Sequence, residues 1–276
     1  VTTLEKVVVR FSGDPGDGMQ LTGTIFSNLS AILGNDISTF PDFPAEIRAP
    51  QGTLSGVSGF QVHLGSRKIY TPGDKADVLV AMNPAALKVN VKNIKQNAIV
   101  IIDTDSFQKN DLTKALFTTD EPFEELGLTS AQVVAVPIST MVKDGLVEFE
   151  LDNKSALRCK NMFALGLVCW LFERPLEEAM HMLQNKFAKK PAIVKANIKA
   201  LTDGYNYGHN THATVSTYRI ESTNVEPAFY TDVNGNKATS YGLIAAAEKA
   251  NLRLFLGSYP ITPATDILHE LAKRKD

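Results

Sequence analysis

"KVVVRFSGDPGDGMQLTGTIFSNLSAILG", residues Lys6–Gly34, decides the fold class of this chain of 276 residues. It opens with Lys6–Ser12, a β-branched run that is typical of a buried parallel strand. Gly13–Gly18 follows as a glycine-rich turn. Met19–Gly34 then carries an apolar residue at every fourth position, which is one stripe of an amphipathic helix. The stretch therefore predicts a strand, a tight turn and a helix, in that order.

The alternation of strand and helix patterns continues outward from this unit toward the carboxyl end. Short apolar runs predict three more buried strands, at Asp77–Met82, Ala98–Asp103 and Gln132–Ile138. Longer segments predict four helices, at Asn83–Ile94, Ser155–Phe172, Pro175–Phe187 and Pro191–Tyr207. Because alternating strands and helices build a sheet that is covered on both faces, we expect an α/β fold with a mostly parallel sheet.

A stretch rich in proline and glycine, Phe40–Gly59, is expected to form a long surface loop, and long loops are often functional. Its one cation is Arg48, for which two interpretations remain open. Arg48 is either a solvated charge near Glu46, or it binds an anion or a neighbouring subunit. The residues that follow, Phe60–Gly65 and Arg67–Asp74, alternate as in a β-hairpin.

The sequence pattern divides the chain into three parts. Residues 1–207 carry the strand and helix pattern, and residues 208–236 are polar with few apolar repeats, as in an extended linker. Residues 237–276 predict a helix, a strand at Leu252–Gly257 and a second helix, which is the start of another α/β domain. One strand and two helices cannot bury enough surface to be stable alone. We therefore expect the chain to belong to a longer polypeptide or to dock on a partner.

Composition restricts the classes of function. Apolar residues make up 44% of the chain and charged residues 21%, as in an ordinary soluble globular protein. The net charge is −2 without a long basic run, which disfavours nucleic acid as a partner. No apolar run approaches the roughly 20 residues of a membrane span, and the N-terminal residues lack a signal-peptide pattern. We expect a cytoplasmic protein that does not contact a membrane.

Cysteine and histidine usage predicts no metal centre in this chain. Cys159 and Cys169 lie in a predicted helix, too far apart for a disulfide, and are expected to be buried apolar residues. Two cysteines cannot hold an iron–sulfur cluster, which usually takes four, so any cluster must belong to another chain. His209 and His212 form an H-x-x-H pair without a visible third ligand.

The Gly13–Gly18 turn has the pattern G-x-x-G-x-G, which differs from the dinucleotide-binding pattern G-x-G-x-x-G and disfavours a nicotinamide site. A helix N-terminus after such a turn favours an anion. However, Asp14 and Asp17 lie in the turn, and Asp17 is placed to cap the helix. Two interpretations therefore remain, a tight turn with capping aspartates and a turn that contacts a ligand.

The second candidate site is YPITP, Tyr259–Pro263, which follows the predicted strand Leu252–Gly257. Thr262 is placed to cap the last helix, with Pro263 as its first residue. Yet ligands in open α/β sheets bind at the carboxyl ends of strands. Thr262, fixed between two prolines and near Tyr259, is therefore either a helix cap or a hydroxyl donor for a polar or anionic substrate.

These residues carry a resemblance to a known family. Gly235–Ile267, with YPITP, is similar to the start of the α domain of the 2-oxoacid:ferredoxin oxidoreductases, and residues 5 to about 200 resemble the γ domain of that family. The stretch from Phe43 to Lys88, with IRAPQGTLSGVSGFQ, resembles the fused γ–α subunit of the 2-oxoglutarate:ferredoxin oxidoreductases. The resemblance covers nearly the whole chain.

The resemblance implies a reaction and its cofactors. Members of the family decarboxylate a 2-oxoacid on thiamine diphosphate with Mg²⁺, pass electrons through 4Fe-4S clusters to ferredoxin, and form an acyl-coenzyme A. The thiamine pocket is shared with a β subunit, which also carries an iron–sulfur cluster. The resemblance implies that Tyr259, Pro260, Ile261 and Thr262 contact cofactor or substrate, with Thr262 as the catalytic hydroxyl.

The resemblance also implies that the γ domain lies over the active site, on the side of coenzyme A, so that Gly13, Gly16, Gly18 and Arg48 become candidates for contact with coenzyme A. The second domain implied is the pyrimidine-binding type of thiamine enzymes. The family's subunit is about twice as long as this chain, and its catalytic glutamate lies downstream of YPITP, so we expect the chain alone to be inactive.

Two alternative functions remain open. The first is the same chemistry on pyruvate or a branched-chain 2-oxoacid, because the residues that select the substrate lie mostly outside this sequence. The second is a non-catalytic domain that assembles partner subunits and contacts no ligand.

Overall fold

The computed structural model describes residues 1–44, 54, 56–223, 228–231 and 233–274. The chain divides into two compact units, Val1–Val225 and Glu226–Asp276. The large first unit contains the candidate glycine turn, and the small second unit contains YPITP.

Among the described residues, a six-stranded sheet forms the centre of the first unit. The strands of the unit are β1 (Thr2–Thr3), β2 (Lys6–Gly13), β3 (Asp36–Asp42), β4 (Ser58–Gly65), β5 (Ala76–Ala81), β6 (Ile94–Asp103), β7 (Gln132–Val136) and β8 (Tyr218–Arg219). The sheet has the order β3-β4-β2-β5-β6-β7, and β1 pairs separately with β8. Strands β2, β5, β6 and β7 are parallel neighbours, whereas β4 is antiparallel to β2 and β3. The predicted mostly parallel α/β sheet is confirmed.

Helices follow most of the strands. The α-helices of the first unit are α1 (Met19–Ile32), α2 (Pro84–Asn90), α3 (Lys109–Lys114), α4 (Pro122–Glu125), α5 (Ile138–Gly145), α6 (Asn153–Leu157), α7 (Lys160–Leu171), α8 (Glu177–Lys186) and α9 (Pro191–Thr211). Short 3₁₀ turns lie at Val91–Asn93, Thr104–Ser106 and Val147–Phe149. The segment Ser155–Phe172, predicted as one helix, is interrupted between α6 and α7.

Alternate residues of the strands face two separate cores. Val7, Val9 and Phe11 of β2 lie in a large core with residues of α1, α7 and α9. Val8 faces the other way and packs with Leu87 of α2. Because successive side chains of a strand point to opposite faces, the β-branched run of β2 supplies both cores at once. Helices therefore cover both faces of the sheet, as the sequence predicts.

The antiparallel half of the sheet differs from the sequence-based expectation. Strand β3 and the start of β4 occupy both ends of the stretch Phe40–Gly59, which was expected to be a loop throughout. The predicted hairpin of Phe60–Gly65 with Arg67–Asp74 is wrong, because β4 is bonded on both sides, to β2 and to β3. Arg67–Asp74 instead contacts β4 through the Gln61 amide, which donates to two carbonyls of this segment at 2.8 and 2.7 Å.

The beginning of the predicted linker, residues 208–236, packs within the first unit. Helix α9 continues into it, β8 pairs with β1, and Ile220 is only 5% exposed. The Asn35 amide donates to the backbone carbonyl of Glu221 at 2.8 Å. These contacts depend on backbone pairing and on one buried apolar side chain, which leave no apolar periodicity in the sequence.

Helices α7 and α9 approach each other closely through two glycines. A Cβ atom added to Gly166 of α7 would lie 1.9 Å from the carbonyl oxygen of Leu201. A Cβ atom added to Gly204 of α9 would lie 1.9 Å from the carbonyl oxygen of Phe163. Real Cβ atoms do not approach a carbonyl so closely, so the distance between the two helices depends on glycine at both positions.

The second unit consists of two described helices, α10 (Gly235–Ala250) and α11 (Thr265–Ala272), which pack together. The Asn234 side chain caps α10 by accepting from the Lys237 N–H at 2.8 Å. The prediction of a strand at Leu252–Gly257 is wrong, since this segment forms no strand. A β-strand is defined by pairing, and the described residues of this unit offer no second strand.

Candidate functional site

The carboxyl edge of the parallel strands contains a topological switch point. From β2 the chain passes through α1 to β3 and β4 on one side of β2, and then crosses to β5 on the other side. Open α/β sheets bind their ligands in the crevice at such a point. The Gly13–Gly18 turn follows β2 at this edge, Asn83 follows β5, and Asp105 follows β6.

A cleft of about 250 Å³ lies at this edge. Its polar lining comes from the loops after three neighbouring strands, from α3 and from the start of α7. The charged and polar residues of the lining are Asp14, Asn83, Asp105, Ser106, Asp111, Lys114 and Lys160. The volume suits a small ligand, or one end of a large one.

The glycine turn needs glycine at two of its positions, Gly16 and Gly18. Gly16 and Gly18 have φ values of 101° and 81°, a region that side chains disfavour. A Cβ atom on Gly18 would also lie 2.3 Å from the side-chain nitrogen of Asn161, whereas the space around Gly16 is open. The turn is therefore tight on the side of α7 and open at Gly16.

The predicted helix cap by Asp17 is wrong. Gly18 is the N-cap residue of α1, and no side chain caps this helix. Asp17 Oδ2 instead accepts from the backbone N–H of Asp14 at 3.2 Å and lies 3.2 Å from the Nζ of Lys160. The first backbone donors of α1 therefore have no side-chain cap, and the positive end of the helix dipole follows the turn directly.

Asp14 and Asn83 join the turn to the loop after β5. The Asn83 amide donates to Asp14 Oδ1 at 2.7 Å, and its oxygen accepts from the Ala86 N–H at 2.8 Å, which caps α2. Partial burial raises the pKa of the Asp14 carboxyl above its ordinary value of 3.8, and repulsion by Asp17 adds to the effect. The Asn83 bond and the charge of Lys160 oppose this rise.

The raised pKa of Asp14 predicts a pH-dependent loss of stability. The folded site retains the proton of Asp14 to a higher pH than the unfolded chain, whose value is 3.8. The stabilising contribution is therefore complete below 3.8 and is lost as the pH rises through the raised pKa. We expect Asp14→Asn to remove this loss. The free energy of unfolding of the variant should therefore increase relative to that of the parent chain as the pH rises.

Urea unfolding from about pH 4 to about pH 7 measures this difference. Asp120→Asn, which removes an exposed carboxylate outside the cleft, is the control. A stability difference that stays constant over this range would contradict the prediction.

Asp103, at the end of β6, organises the loop that supplies Asp105 and Ser106 to the cleft. It is fully buried and accepts from four donors, the N–H and hydroxyl of Ser139, the hydroxyl of Ser106 and the N–H of Asp105. Asp105 in turn accepts from the Thr140 N–H at 2.6 Å. The two carboxylates thus hold this loop against the first turn of α5, where negative charge is favoured.

We expect Asp103→Ala to lower the free energy of unfolding by about 2 to 3 kcal/mol, because it leaves buried donors without an acceptor. Asp103→Asn retains an oxygen for the backbone donors and should cost less. Chemical denaturation of both variants measures the two costs. Equal stability of Asp103→Ala and the parent chain would show that the loop is held by other contacts.

The second candidate site, Tyr259–Thr262, lies in the second unit and is exposed. Tyr259 is 77% exposed and Ile261 is 57% exposed. The predicted helix cap by Thr262 is wrong, because α11 begins at Thr265 with Ala264 as its N-cap residue. Among the described residues, Thr262 has no hydrogen-bond partner, so its hydroxyl has no assigned structural role in this unit.

The structure brings together part of the predicted site. Gly13, Gly16 and Gly18 meet in one turn at the switch point, whereas Arg48 lies outside the described residues. Sequence reasoning singled out Asp14 within the turn but missed the other polar members of the cleft. A signal for Asn83 existed, since an asparagine followed by proline ends a predicted strand there. Lys160 had no such signal, because only the packing of α7 against the turn places it in the cleft.

Other sequence-based interpretations concern metals, membranes and cysteines. Within the described part of the chain, no three His, Cys, Asp or Glu side chains are grouped as metal ligands. No described helix has the length and apolar character that a membrane span requires. Cys159 and Cys169 are buried free thiols, as expected, and burial raises their pKa to about 11 and about 12.

Comparison with known proteins gives consistent matches. The model of the pyruvate ferredoxin/flavodoxin oxidoreductase family matches residues 8–207. The 2-oxoglutarate oxidoreductase subunit KorA of Mycobacterium tuberculosis is 48% identical over 99% of this chain, which covers 42% of that subunit. The chain thus spans less than half the length of this curated relative.

Two solved structures resemble the fold. The first is a 2-oxoglutarate:ferredoxin oxidoreductase from Magnetococcus marinus with 2-oxoglutarate, coenzyme A and succinyl-CoA bound. It is 27% identical with a TM-score of 0.73, and the match covers 98% of this chain and 41% of that one. The second is the gamma subunit of a keto/oxoacid ferredoxin oxidoreductase from Geobacter sulfurreducens, with a TM-score of 0.52 at 21% identity. This match covers 74% of this chain and 99% of the other, and it supports the fold alone.

Proposed function

The chain belongs to the pyruvate ferredoxin/flavodoxin oxidoreductase family, and we propose that it forms part of the alpha subunit of a 2-oxoglutarate:ferredoxin oxidoreductase. That enzyme decarboxylates a 2-oxoacid oxidatively to an acyl-coenzyme A and passes the electrons to ferredoxin. The observation that carries the proposal is the 48% identity with KorA over 99% of this chain. Residues 1–207 are assigned as the γ domain, 208–236 as the linker region and 237–276 as the start of the α domain.

The turn of Gly13, Gly16 and Gly18 is proposed as part of the coenzyme A side of the site, together with Arg48. Three features of the first unit support this assignment. The turn lies at the switch point of the sheet, α1 has no side-chain cap, and the cleft offers about 250 Å³ of space. An uncapped helix N-terminus favours an anionic group, and coenzyme A carries phosphates.

A buried side-chain oxygen beside the turn, that of Asn161, lacks a hydrogen-bond donor in the described part of the chain, and a ligand could supply one. Asn161 is 3% exposed, and its amide nitrogen lies 3.4 Å from the carbonyl oxygen of Gly18. Its side-chain oxygen has no hydrogen-bond partner in the described structure. A buried acceptor without a donor is costly, and the pantetheine arm of coenzyme A carries amide N–H groups that would satisfy one.

Thiamine diphosphate with Mg²⁺ is proposed to bind where a β subunit completes the site around Tyr259, Pro260, Ile261 and Thr262. These exposed residues do not form a cofactor site alone, since Ser240 is the one fully buried residue among those described in the second unit. When bound, the cofactor supplies the carbanion chemistry, and this chain contributes the hydroxyl of Thr262. The 4Fe-4S clusters are proposed to lie on partner chains.

The proposed partners are a β subunit, ferredoxin, a 2-oxoacid and coenzyme A, in the cytoplasm. The test is to assemble the full-length subunit with its β partner and to measure ferredoxin reduction with 2-oxoglutarate, pyruvate and a branched-chain 2-oxoacid. We expect activity with 2-oxoglutarate that requires coenzyme A. Activity with pyruvate alone would overturn the substrate assignment. Tight capture of the β subunit without coenzyme A binding would support the assembly role instead.

A further inference from the structure

An acidic and a basic side chain meet beside the cleft. The Nζ of Lys160 lies 3.2 Å from Asp17 Oδ2, and the two side chains are 17% and 21% exposed. Lys160 begins α7 and lines the cleft, whereas Asp17 lies in the turn between β2 and α1. The pair therefore joins the turn to the part of the cleft where α7 starts.

We propose that Lys160 binds a phosphate group of the ligand. In the absence of this ligand, Asp17 neutralises Lys160, and the phosphate then replaces the Asp17 carboxylate as the partner of the lysine. The inference rests on the proposed coenzyme A role of the turn. A mostly buried ammonium group needs a counter-charge, and Asp17 supplies the one within ion-pair distance in the described structure. A phosphate offers more negative charge and more acceptor oxygens than a carboxylate, so it competes well for the same lysine.

Two further groups of suitable chemistry lie next to this lysine. Asn161 follows Lys160 directly and has a buried side-chain oxygen without a partner among the described residues. Helix α1 begins at Met19, its N-cap residue Gly18 follows Asp17 directly, and no side chain caps it. A cation, an uncapped helix N-terminus and a free acceptor therefore converge, which suits a ligand that carries both phosphate and N–H groups.

The turn allows Asp17 to move away from Lys160. Asp17 lies between Gly16 and Gly18, and even an added Cβ atom at Gly16 would meet nothing within 4 Å. Besides Lys160, the Asp17 carboxylate accepts one hydrogen bond among the described residues, from the backbone N–H of Asp14 at 3.2 Å. Displacement of Asp17 therefore breaks one hydrogen bond and one ion pair, without repacking of the core.

The second lysine of the cleft is a weaker candidate. Lys114 is 78% exposed and lies 3.5 Å from Asp111, which is on its own helix. Exposed ion pairs of this kind contribute little, because water already solvates both charges. Asp111→Asn is therefore a matched control, since it removes the acidic partner of the other cleft lysine.

The experiment is a titration of coenzyme A against the full-length subunit assembled with its β partner. We expect Asp17→Asn to bind coenzyme A about tenfold more tightly, because it frees the Lys160 ammonium group for the phosphate. The gain should vanish in the double variant Asp17→Asn/Lys160→Met, and Asp111→Asn should change the affinity less than about twofold. Pantetheine, which has no phosphate, should show no gain. Asp17→Ser gives the same test if the asparagine variant does not fold.

Each result supports or overturns the inference. Unchanged or weaker binding of coenzyme A by Asp17→Asn would overturn it while leaving the proposed function intact. A gain that persists without Lys160, or that extends to pantetheine, would also overturn it, because the lysine would not be the phosphate ligand. Absence of coenzyme A binding in the unsubstituted complex would instead refute the proposed role of the turn.

Discussion

Gly166→Ala is expected to lower the free energy of unfolding by more than about 4 kcal/mol, which places it among the exceptional single substitutions. An added methyl group at this position would lie 1.9 Å from the carbonyl oxygen and 2.9 Å from the carbonyl carbon of Leu201. It would also lie 2.8 Å from the backbone nitrogen of Tyr205. The neighbours are backbone atoms, so no rotation of a side chain can relieve the clash.

Helix propensity acts in the opposite direction but is too small to compensate. Alanine is favoured over glycine within a helix by about 1 kcal/mol. Separating α7 from α9 to admit the methyl group would open contacts in the large core, where Phe163 and Leu201 are fully buried. Overpacking of this kind alone costs about 1 to 3 kcal/mol, and the loss of close packing along the two helices adds to it.

Thermal unfolding with matched controls tests this prediction. Gly204→Ala should behave in the same way, because its added methyl group would lie 1.9 Å from the carbonyl oxygen of Phe163. Gly242→Ala, in α10, is the control, since an added methyl group there meets nothing within 4 Å. The two helix-contact variants should lose at least about 8 °C in Tm, whereas the control should not fall. An unchanged Tm for Gly166→Ala would contradict the close approach of the two helices.

The parts of this fold that the sequence predicts are those that depend on local pattern. The strand Lys6–Gly13 and the helix Met19–Ile32 follow from a β-branched run and from apolar residues at every fourth position. Strand β3 was missed because its stretch contains Pro41 and half-buried polar residues, which are tolerated at the edge of a sheet. The predicted hairpin was wrong because β4 pairs with β2 and β3, which precede it in sequence, and not with the segment that follows it.

The candidate site divides in the same way. The Gly13–Gly18 turn was predictable, since several glycines directly after a strand indicate a tight turn. The sequence could not predict whether Asp17 caps α1 or pairs with a lysine, because Lys160 is distant in sequence and its position depends on α7. The role of Asp103 could not be predicted either. A buried acid at the end of a strand organises a loop only through the donors that surround it in the fold.

Replacement of Thr262 is expected to have the largest effect on activity. We expect Thr262→Val, in the full-length subunit assembled with its β partner, to lower kcat by about a hundredfold to a thousandfold. That range is the usual cost of removing one donor that stabilises developing negative charge. The proposed role of the Thr262 hydroxyl is to donate to the substrate's carboxylate or oxygen.

The fold of the second unit separates this role from a structural one. A helix cap is typically worth about 1 kcal/mol, and its loss would appear as lower stability. Thr262 does not cap α11, which starts three residues later with Ala264 as its N-cap residue. Thr262→Val therefore keeps the shape of the side chain, removes the hydroxyl and should leave Tm nearly unchanged.

Thr262→Ser completes the argument, because serine restores the hydroxyl without the methyl group. If the hydroxyl acts on the reacting atoms, the serine variant should recover most of the turnover that valine loses, at similar stability. A loss in both variants would point to the methyl group and to packing in the assembled pocket. Wild-type turnover in Thr262→Val would remove the hydroxyl from the reaction, and YPITP would then serve only to shape the chain before α11.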